Sequence, residues 1–366
     1  MNYTDSTVFN HLAKLVSFDT QNPPRKIDSD SEIFSYLKKN LSGFEFEIID
    51  AGDGCLSLLA TRGQPELLFN FHIDTVPIAN GWTSEPLTLI QQGEHLVGLG
   101  ACDIKGAAAC MLSAVNQVSG DVALLFSSDE EHGSSQAVKK FLSVNNSFKK
   151  VIVAEPTKGK AVVAHRGIQT AIAKFSGIPG HASEARALTD SAIHKAGSWI
   201  HQATQWVTEQ QLQVENLVGL PFNIGTINGG IKANMIADQC ELKFGFRPLP
   251  GQCSKAVIAS LIALDSDNAL DISALVEEGF FGPCLPAANQ DFEQSMEQAK
   301  GLAKSLDIEV GEAVSFWTEA SLFSEAGMTA LVFGPGDIAQ AHTADEWVAI
   351  SQLQAVESSY LKILGQ

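Results

Sequence analysis

Short apolar runs alternate with helix-like patterns through the first half of the chain. Runs of this length, bounded by polar and turn-forming residues, are typical of buried strands. A later apolar run at 330–333 has the same character, so we predict that the chain returns to this sheet near its end. Strands that alternate with helices indicate an α/β layer fold. The predicted strands of the first half are 44–49, 56–60, 67–71, 122–126 and 151–154.

The hydrophobic pattern changes in the middle of the chain. Residues 191–213 carry apolar positions at helical spacing and predict one amphipathic helix, which Thr189 or Asp190 would cap. Apolar and polar residues alternate over 240–246, as in a strand with one buried face. The remaining predicted elements of this part are a strand at 222–227, a turn at 228–230 and a helix at 254–264.

The length of 366 residues exceeds what one hydrophobic core usually supports, so two domains are expected. Because the middle pattern stands between two α/β parts, we predict that one domain is inserted into the other. The larger α/β domain would consist of residues 1–166 and 284–366. The smaller α+β domain would occupy 167–283.

The charge balance argues against several classes of partner. With 24 basic and 42 acidic residues the net charge is -18, which disfavours nucleic acid and anionic membranes. No apolar run approaches the length of a membrane span, and the first residues lack the pattern of a signal peptide. The six cysteines are scattered without a CxxC pair, as is typical of reduced thiols. We therefore expect a cytoplasmic protein.

Acidic residues and histidines stand where the predicted strands end. The strand at 67–71 is followed by His72 and Asp74, which point to the same side because side chains alternate along a strand. The next strand is followed by the acidic run 129–131, and the strand after it by Glu155. Ligand sites of open α/β sheets lie at these strand ends. The sequence therefore predicts that these side chains converge on one edge of the sheet.

Two loops supply further candidates. Asp103 lies in the glycine-rich segment 98–106, and His342 lies in the polar segment 334–342 after the last predicted strand. A glycine-rich loop before a helix is also typical of a phosphate-binding loop. The third glycine of the dinucleotide pattern is missing here, however, and Lys105 is followed by glycine rather than by serine or threonine. This mismatch disfavours nucleotide binding.

A cluster of carboxylates repels itself unless cations are present. Imidazole together with carboxylate is the ligand set expected for zinc, cobalt or manganese. Taken alone, His72 and His342 have ordinary explanations as structural histidines, and 129–131 as a solvated acidic turn. Their joint occurrence at strand ends favours a metal site.

The motifs together resemble the M20 metallopeptidase and deacylase family over essentially the whole chain. This resemblance implies a metal-dependent exopeptidase-like α/β catalytic domain with a smaller inserted α+β domain that acts as a lid and in dimerisation. The motifs that carry it are 72–77, 100–106, 128–131, 154–157, 180–183, 229–230, 233–234, 246–250, 317–320, 334–336 and 340–342.

The resemblance also implies roles for individual residues at a centre of two divalent metal ions, most simply zinc or cobalt. Glu130 would be the general base, and Asp74 would orient the imidazole of His72. Asp103 would bridge the two ions. The full set of implied metal ligands is His72, Asp103, Glu131, Glu155 and His342.

Other residues are expected to contact the substrate. Arg247 is the best candidate for its α-carboxylate, because a guanidinium pairs with a carboxylate through two hydrogen bonds. His181 resembles a family histidine that reaches in from a partner subunit, which implies a homodimer; a polar turn histidine is the alternative. Gly230 and Asn234 would position the acyl end, or they are only turn formers. Glu319 would contact the side chain of the substrate.

Within the family, segments 247–250 and 318–320 resemble the deacetylases of arginine biosynthesis. The expected reaction is hydrolysis of the acetyl amide of N-acetyl-L-ornithine or N-acetyl-L-citrulline, with a slight preference for citrulline. Alternatives are a dipeptidase, an aminoacylase, a succinyl-diaminopimelate desuccinylase, or a non-catalytic binding protein on the same fold. Two positions depart from the family pattern: His132 follows the glutamate pair, and Gly245 stands where an acidic residue is common.

Overall fold

The chain folds into two units, and the first of them is built from three separate stretches. The computed structural model describes residues 3–24, 27–133, 135–145, 147–265, 270–274 and 281–365. The first unit comprises Met1–Ala164, Asn289–Glu312 and Thr318–Gln366, and the second comprises His165–Ala288 and Ala313–Trp317. The segment predicted to be inserted, 167–283, lies inside the second unit.

The first stretch of the first unit alternates strands and helices. It opens with a short 3-10 helix at Tyr3–Asp5. The elements that follow are α1 (Thr7–Val16), α2 (Glu32–Asn40), β1 (Glu45–Asp50), β2 (Leu56–Arg62), β3 (Leu67–His72), β4 (Ile90–Gln92), β5 (His95–Val97), α3 (Lys105–Val115), β6 (Val122–Ser127), α4 (Gln136–Val144) and β7 (Lys150–Val153).

The second unit contains most of the remaining strands. Its elements are β8 (Ile168–Ser176), β9 (Gly180–His181), α5 (Ala187–Asp190), α6 (Ala192–Thr208), β10 (Gln213–Val214), β11 (Leu217–Val218), β12 (Phe222–Gly229), β13 (Met235–Ile236), β14 (Gln239–Phe246), α7 (Ser254–Ala263), β15 (Leu270–Ala274) and β16 (Phe281–Gly282). The chain then returns to the first unit with α8 (Phe292–Ser305), α9 (Ala320–Glu325), β17 (Thr329–Val332), β18 (Trp347–Ala349) and α10 (Ile350–Leu364).

The main sheet of the first unit has six strands in the order β1-β2-β6-β3-β7-β17. Strands β6, β3, β7 and β17 are parallel, whereas β1 and β2 are antiparallel to their neighbours. Every residue of β6 is buried, as expected for a strand covered on both faces. Helix α3 is buried along its whole length and packs against α1 and α10. The α/β fold class and the return of the chain to this sheet are therefore confirmed.

Among the described residues of the second unit, helices α6 and α7 pack against the same face of its main sheet. Strands β12, β14, β8 and β15 run antiparallel in this order, and β16 pairs with β8. Alternate residues of β14 are buried, and these pack with Trp199 of α6 and with apolar residues of α7. The indole N–H of Trp199 donates to the carbonyl of Leu261 at 2.9 Å. The other residues of β14 therefore point to the opposite face of the sheet, away from α6 and α7.

Most predicted boundaries agree with the structure within a few residues, but the capping prediction for α6 is wrong. The helix follows Ser191 and ends at Thr208, earlier than predicted. Neither Thr189 nor Asp190 caps it, because the carboxylate of Asp190 accepts hydrogen bonds from Arg186 and from Thr189 instead. The first two residues of the predicted turn at 228–230 belong to the strand, since β12 continues to Gly229. Among the described residues, no helix combines the length and the apolar character needed to cross a bilayer.

Candidate active site

The carboxyl ends of the four parallel strands carry or are followed by four of the five predicted metal ligands. Strand β3 ends at His72, and β6 is followed by 129–131. Strand β7 is followed by Glu155, and β17 by the loop that carries His342. Parallel neighbours end at the same edge of a sheet, which is where α/β folds bind ligands. The topology thus brings residues that are far apart in the sequence to one edge.

Three of the predicted ligands form a first buried group. The Nε2 atom of His72 lies 3.0 Å from Oδ1 of Asp103 and 3.9 Å from Oε1 of Glu155. One ligand atom from each of the three residues lies within 4.8 Å of the others. Their spacing is that of side chains able to share one metal ion.

Asp103 also belongs to a second group. The Nε2 atom of His342 lies 2.9 Å from Oε1 of Glu131 and 3.4 Å from Oδ2 of Asp103. The two oxygens of Asp103 therefore face different groups, as a bridging carboxylate requires. His342 has φ 60, in the left-handed region that costs energy for a residue with a side chain. The strained backbone thus belongs to the residue whose imidazole contacts Glu131.

The charges of the cluster are poorly compensated by the protein itself. Burial and the negative charge of Glu131 raise the pKa of Glu130 well above its ordinary value. Burial and the charge of Asp103 do the same for the pKa of Glu155. Hydrogen bonds to Asp103 and Glu131 raise the pKa of His342 to about 11. Buried carboxylates that resist ionisation, grouped with imidazoles, form a donor set that fits divalent cations such as zinc or cobalt.

Asp74 contacts two of these residues from behind. Its Oδ2 accepts the backbone N–H of Glu131 at 3.0 Å, and its Oδ1 lies 3.6 Å from Nδ1 of His72. The same Nδ1 lies 3.1 Å from the backbone oxygen of Asp74. Two acceptors facing Nδ1 favour the tautomer with its proton there, so that the lone pair of Nε2 points to Asp103.

The residues of the acidic run 129–131 have different surroundings in the structure. Asp129 is fully buried, and its carboxylate accepts the backbone N–H groups of Gln136 and Ala137 at the start of α4. It therefore stabilises a helix terminus, as carboxylates do at the positive end of the helix dipole. Glu130 is half-buried and Glu131 belongs to the second ligand group.

Glu346 was not predicted, although it holds the loop of Asp103 in place. Its Oε1 accepts the N–H of Cys102 at 2.8 Å and that of Asp103 at 2.9 Å, and its Oε2 accepts the N–H of Gly100 at 2.9 Å. Glu346 is only 1% exposed. The loop amides are therefore already bonded, and the amine of Lys105 is buried and donates to the carbonyl of Phe18. The bonding of the loop amides to Glu346 and the bonding of Lys105 to Phe18 both argue against a phosphate-binding loop.

Glu319, predicted to contact the side chain of the substrate, is buried beside the main sheet of the first unit. Its side chain is only 1% exposed, and its Oε2 accepts hydrogen bonds from Nδ2 of Asn70 at 2.8 Å and from Oγ of Ser127 at 2.9 Å. Asn70 and Ser127 belong to β3 and β6, so Glu319 lies against these strands, and its contact with a substrate stays a prediction. Burial and the charge of Asp129 raise its pKa to about 7.

The remaining predicted residues belong to the second unit. His181 is exposed on β9, and its Nδ1 lies 2.7 Å from Oγ of Ser183. The backbone oxygen of Asn234 accepts the N–H of Ala182. Gly230 has φ 69, a conformation that glycine adopts without strain, which supports its explanation as a turn former. Contacts of His181, Gly230 and Asn234 with a substrate stay predictions.

Arg247 is half-buried at the end of β14, and a second arginine fixes its backbone. Arg166, which sequence analysis did not single out, is 2% exposed. Its guanidinium donates to the carbonyl of Arg247 at 3.2 Å and to those of Val218 and Gly219. Burial lowers the pKa of both arginines from the ordinary value.

Comparisons with known proteins agree with this arrangement. The model of "Peptidase family M20/M25/M40" matches residues 68–366. An N-acetyl-L-citrulline deacetylase of Xanthomonas campestris pv. campestris is 47% identical over 362 residues, which are 98% of each chain. An acetylornithine deacetylase of Edwardsiella ictaluri is 32% identical over 312 residues, 80% of this chain and 78% of that protein.

The fold is similar to that of solved structures as well. The crystal structure of aminopeptidase PepT from Bacillus cereus has a TM-score of 0.76 at 20% identity, and the match covers 98% of this chain and 97% of that one. The resemblance inferred from the motifs is confirmed, and with it the class of metal-dependent amidohydrolases. The chain therefore belongs to peptidase family M20/M25/M40.

Proposed function

We propose that the protein hydrolyses the acetyl amide of an N-acetylated amino acid of arginine biosynthesis, releasing acetate and the free amino acid. N-acetyl-L-citrulline is the first candidate substrate, because the relative that is 47% identical is a deacetylase of that compound. N-acetyl-L-ornithine is the second, supported by more distant relatives. The observation that carries the proposal is the pair of ligand groups that share Asp103 beside Glu130.

Two divalent metal ions, zinc or cobalt, would be held by the two groups, with Asp103 in common. When bound, such ions polarise the amide carbonyl and lower the pKa of water enough to make hydroxide available at neutral pH. The protein itself holds the metal ligands in position. Asp74 orients His72, and Glu346 fixes the loop of Asp103.

Glu130 is the proposed general base. Its carboxylate is close enough to Glu131 and His72 for their charges to change its pKa, which burial raises well above the ordinary value. A carboxylate with a raised pKa can both accept and return a proton near neutral pH. In the proposed reaction Glu130 takes a proton from the attacking water and gives it to the nitrogen that leaves.

The second unit would bind the rest of the substrate. Arg247 would pair with the α-carboxylate, and Gly230 with Asn234 would position the acyl end. His181 would donate a hydrogen bond to the oxyanion from the partner subunit of a homodimer, with the inserted unit acting as a lid. A cytoplasmic location is supported by the six cysteines, all of which are free thiols, as is usual in a reducing compartment.

The test is to replace Glu130 by glutamine and to assay three substrates with the metal-loaded full chain. The wild type should hydrolyse acetylcitrulline and acetylornithine much faster than an unmodified dipeptide. Glu130→Gln should lower kcat by about 10²- to 10⁴-fold, because the amide cannot take up a proton, while metal content and melting temperature stay unchanged.

Glu297→Gln, on the exposed face of α8, is the matched control and should keep full activity. Unchanged kcat in Glu130→Gln would rule out the proposed base. A preference for the dipeptide would make the protein a dipeptidase, and no hydrolysis of any of the three would favour a binding protein.

A further inference from the structure

The main sheet of the second unit has a cavity on the face opposite α6 and α7. Its volume is about 540 Å³, within the range of about 300–1,000 Å³ typical of small-molecule sites. The walls come from β8, β12 and β14, together with the residues that flank them. Side chains alternate along a strand, so Thr170, Lys243 and Gly245 lie on the face opposite their neighbours Ala171, Phe244 and Phe246, which pack with α6 and α7.

Gly245, on the interior strand β14, has no side chain to fill the bottom of the cavity. In the register of the sheet, Gly245 of β14 lies between Asn223 of β12 and Thr170 of β8. A side chain at this place would meet the backbone oxygen of Gln169 at 3.2 Å and Cγ2 of Thr170 at 3.3 Å, so these neighbours would have to shift by a few tenths of an ångström. The sequence therefore leaves a gap in the middle of a row of side chains.

The charged groups of the cavity are all positive. Lys243 and Arg247 lie two residues before and after Gly245 on the same strand and line the cavity with it. Asn223 and Thr170 add a neutral amide and a hydroxyl. No carboxylate is found among the described residues that line it. Such a site attracts an anion, exchanges hydrogen bonds with a neutral polar group, and repels an ammonium group.

We propose that this cavity, the Gly245 pocket (Thr170, Asn223, Lys243, Gly245 and Arg247), binds the carboxylate and the uncharged polar side chain of the substrate. Its charge selects acyl amino acids whose side chain ends in a neutral group such as a ureido group. It binds less tightly those whose side chain ends in an ammonium group. This inference rests on the proposed function and names the substrate class that the second unit admits.

The test uses two variants of equal size, Gly245→Asp and Gly245→Asn, in the metal-loaded full chain. The measured quantity is the ratio of kcat/KM for acetylcitrulline to kcat/KM for acetylornithine. Both new side chains meet the same neighbours, so any cost of packing is shared and only the charge differs. Gly245→Asp should shift the ratio about tenfold toward acetylornithine relative to Gly245→Asn, as expected for one added ion pair in a partly buried site.

A second pair of variants removes a positive charge. Lys243→Met should raise kcat/KM for acetylornithine several-fold, because the repulsion of its ammonium group is relieved. Lys255→Met, an exposed lysine of α7 in the same unit, should leave both substrates unchanged. Equal substrate ratios in Gly245→Asp and Gly245→Asn, or an effect of Lys255→Met as large as that of Lys243→Met, would overturn the assignment of the pocket.

Binding separates this inference from the proposed reaction. Calorimetry on Glu130→Gln in the full chain measures Kd for acetylcitrulline and acetylornithine with and without Gly245→Asp. Tighter binding of acetylcitrulline, reversed by the aspartate, supports the pocket even when the wild type hydrolyses neither compound. Hydrolysis of both compounds with Kd values that do not respond to the charge at 245 retains the reaction and refutes the pocket.

Discussion

The carboxylate of Glu346 accepts the backbone N–H of Asp103 at 2.9 Å. The same oxygen accepts the N–H of Cys102, and the other oxygen accepts that of Gly100. A buried carboxylate that collects three backbone donors fixes the course of a loop, because each donor left without an acceptor would cost free energy. The position of the shared ligand Asp103 thus depends on a residue that follows His342 in the sequence.

Glu346→Gln should weaken metal binding about 10- to 100-fold, the usual effect of losing a group that orients a ligand. Glutamine has one acceptor oxygen, so its NH2 group would face the N–H of Gly100 or the pair at Cys102 and Asp103. Zinc affinity measured by competition with a chelator is the readout, with kcat and KM alongside. Glu357→Gln is the control, because the carboxylate of Glu357 accepts the hydroxyl of Ser113 and contacts none of the loop amides of Asp103 among the described residues. Wild-type zinc affinity in Glu346→Gln would contradict the positioning role.

Asp74→Asn should reduce metal affinity or kcat by a similar factor, about 10- to 100-fold. The carboxylate faces two donors, the N–H of Glu131 and Nδ1 of His72, and an asparagine can satisfy only one of them with its oxygen. Metal titration and steady-state kinetics on the same preparation check this. Asp291→Asn is a suitable control, since asparagine replaces aspartate equally well at the start of α8. Equal losses in both variants would show that the effect is not specific to the site.

Removal of metal by a chelator should abolish activity and lower the melting temperature. Without cations, the buried carboxylates of the cluster repel one another and keep raised pKa values, as Glu130 and Glu155 do. Adding back zinc or cobalt should restore both activity and melting temperature, since binding to the folded state stabilises it. Full activity after exhaustive chelation would contradict a metal-dependent reaction.

The metal-free chain should also lose stability as pH rises from 5 to 8. Glu319 and Glu346 have pKa values of about 7 in the folded chain, above the ordinary value of 4.5, so the folded state binds more protons than the unfolded state in this window. The pKa of His342, about 11 against 6.5, acts in the same direction above pH 6.5. Stability therefore falls with pH until these groups have lost their protons in both states. A melting temperature that rises from pH 5 to 8 would contradict this account.

Residues that follow directly on an apolar strand could be found from the sequence. His72 and Glu155 lie within two residues of such strands, and a parallel sheet places strand ends side by side. The glycine-rich loop of Asp103 and the late loop of His342 were recognisable from their motifs. These features are local, which is why the pattern along the chain was sufficient to predict them.

The contacts that sequence analysis missed join residues that are far apart. Glu319 bonds to Asn70 across 249 positions, and Glu346 bonds to Asp103 across 243. Neither glutamate is distinguished by its neighbours in the sequence. Only the folded chain shows that both side chains are buried and bonded to distant residues. The Gly245 pocket likewise requires the register of β12, β14 and β8, which no local pattern fixes. The wrong cap for α6 has a simpler cause, because Asp190 is held by Arg186 before the helix begins.

The order of the elements also has a consequence for synthesis on the ribosome. Strand β17 and His342 are made after the whole second unit, although they complete the sheet and the ligand groups of the first. Until they emerge, the nascent chain can assemble only the group of His72, Asp103 and Glu155, and β7 keeps an unpaired edge. An open edge of this kind is prone to pair with other chains. A chain terminated before Thr329 would therefore lack one of the five ligands, His342, and would keep a sheet edge prone to pairing with other chains.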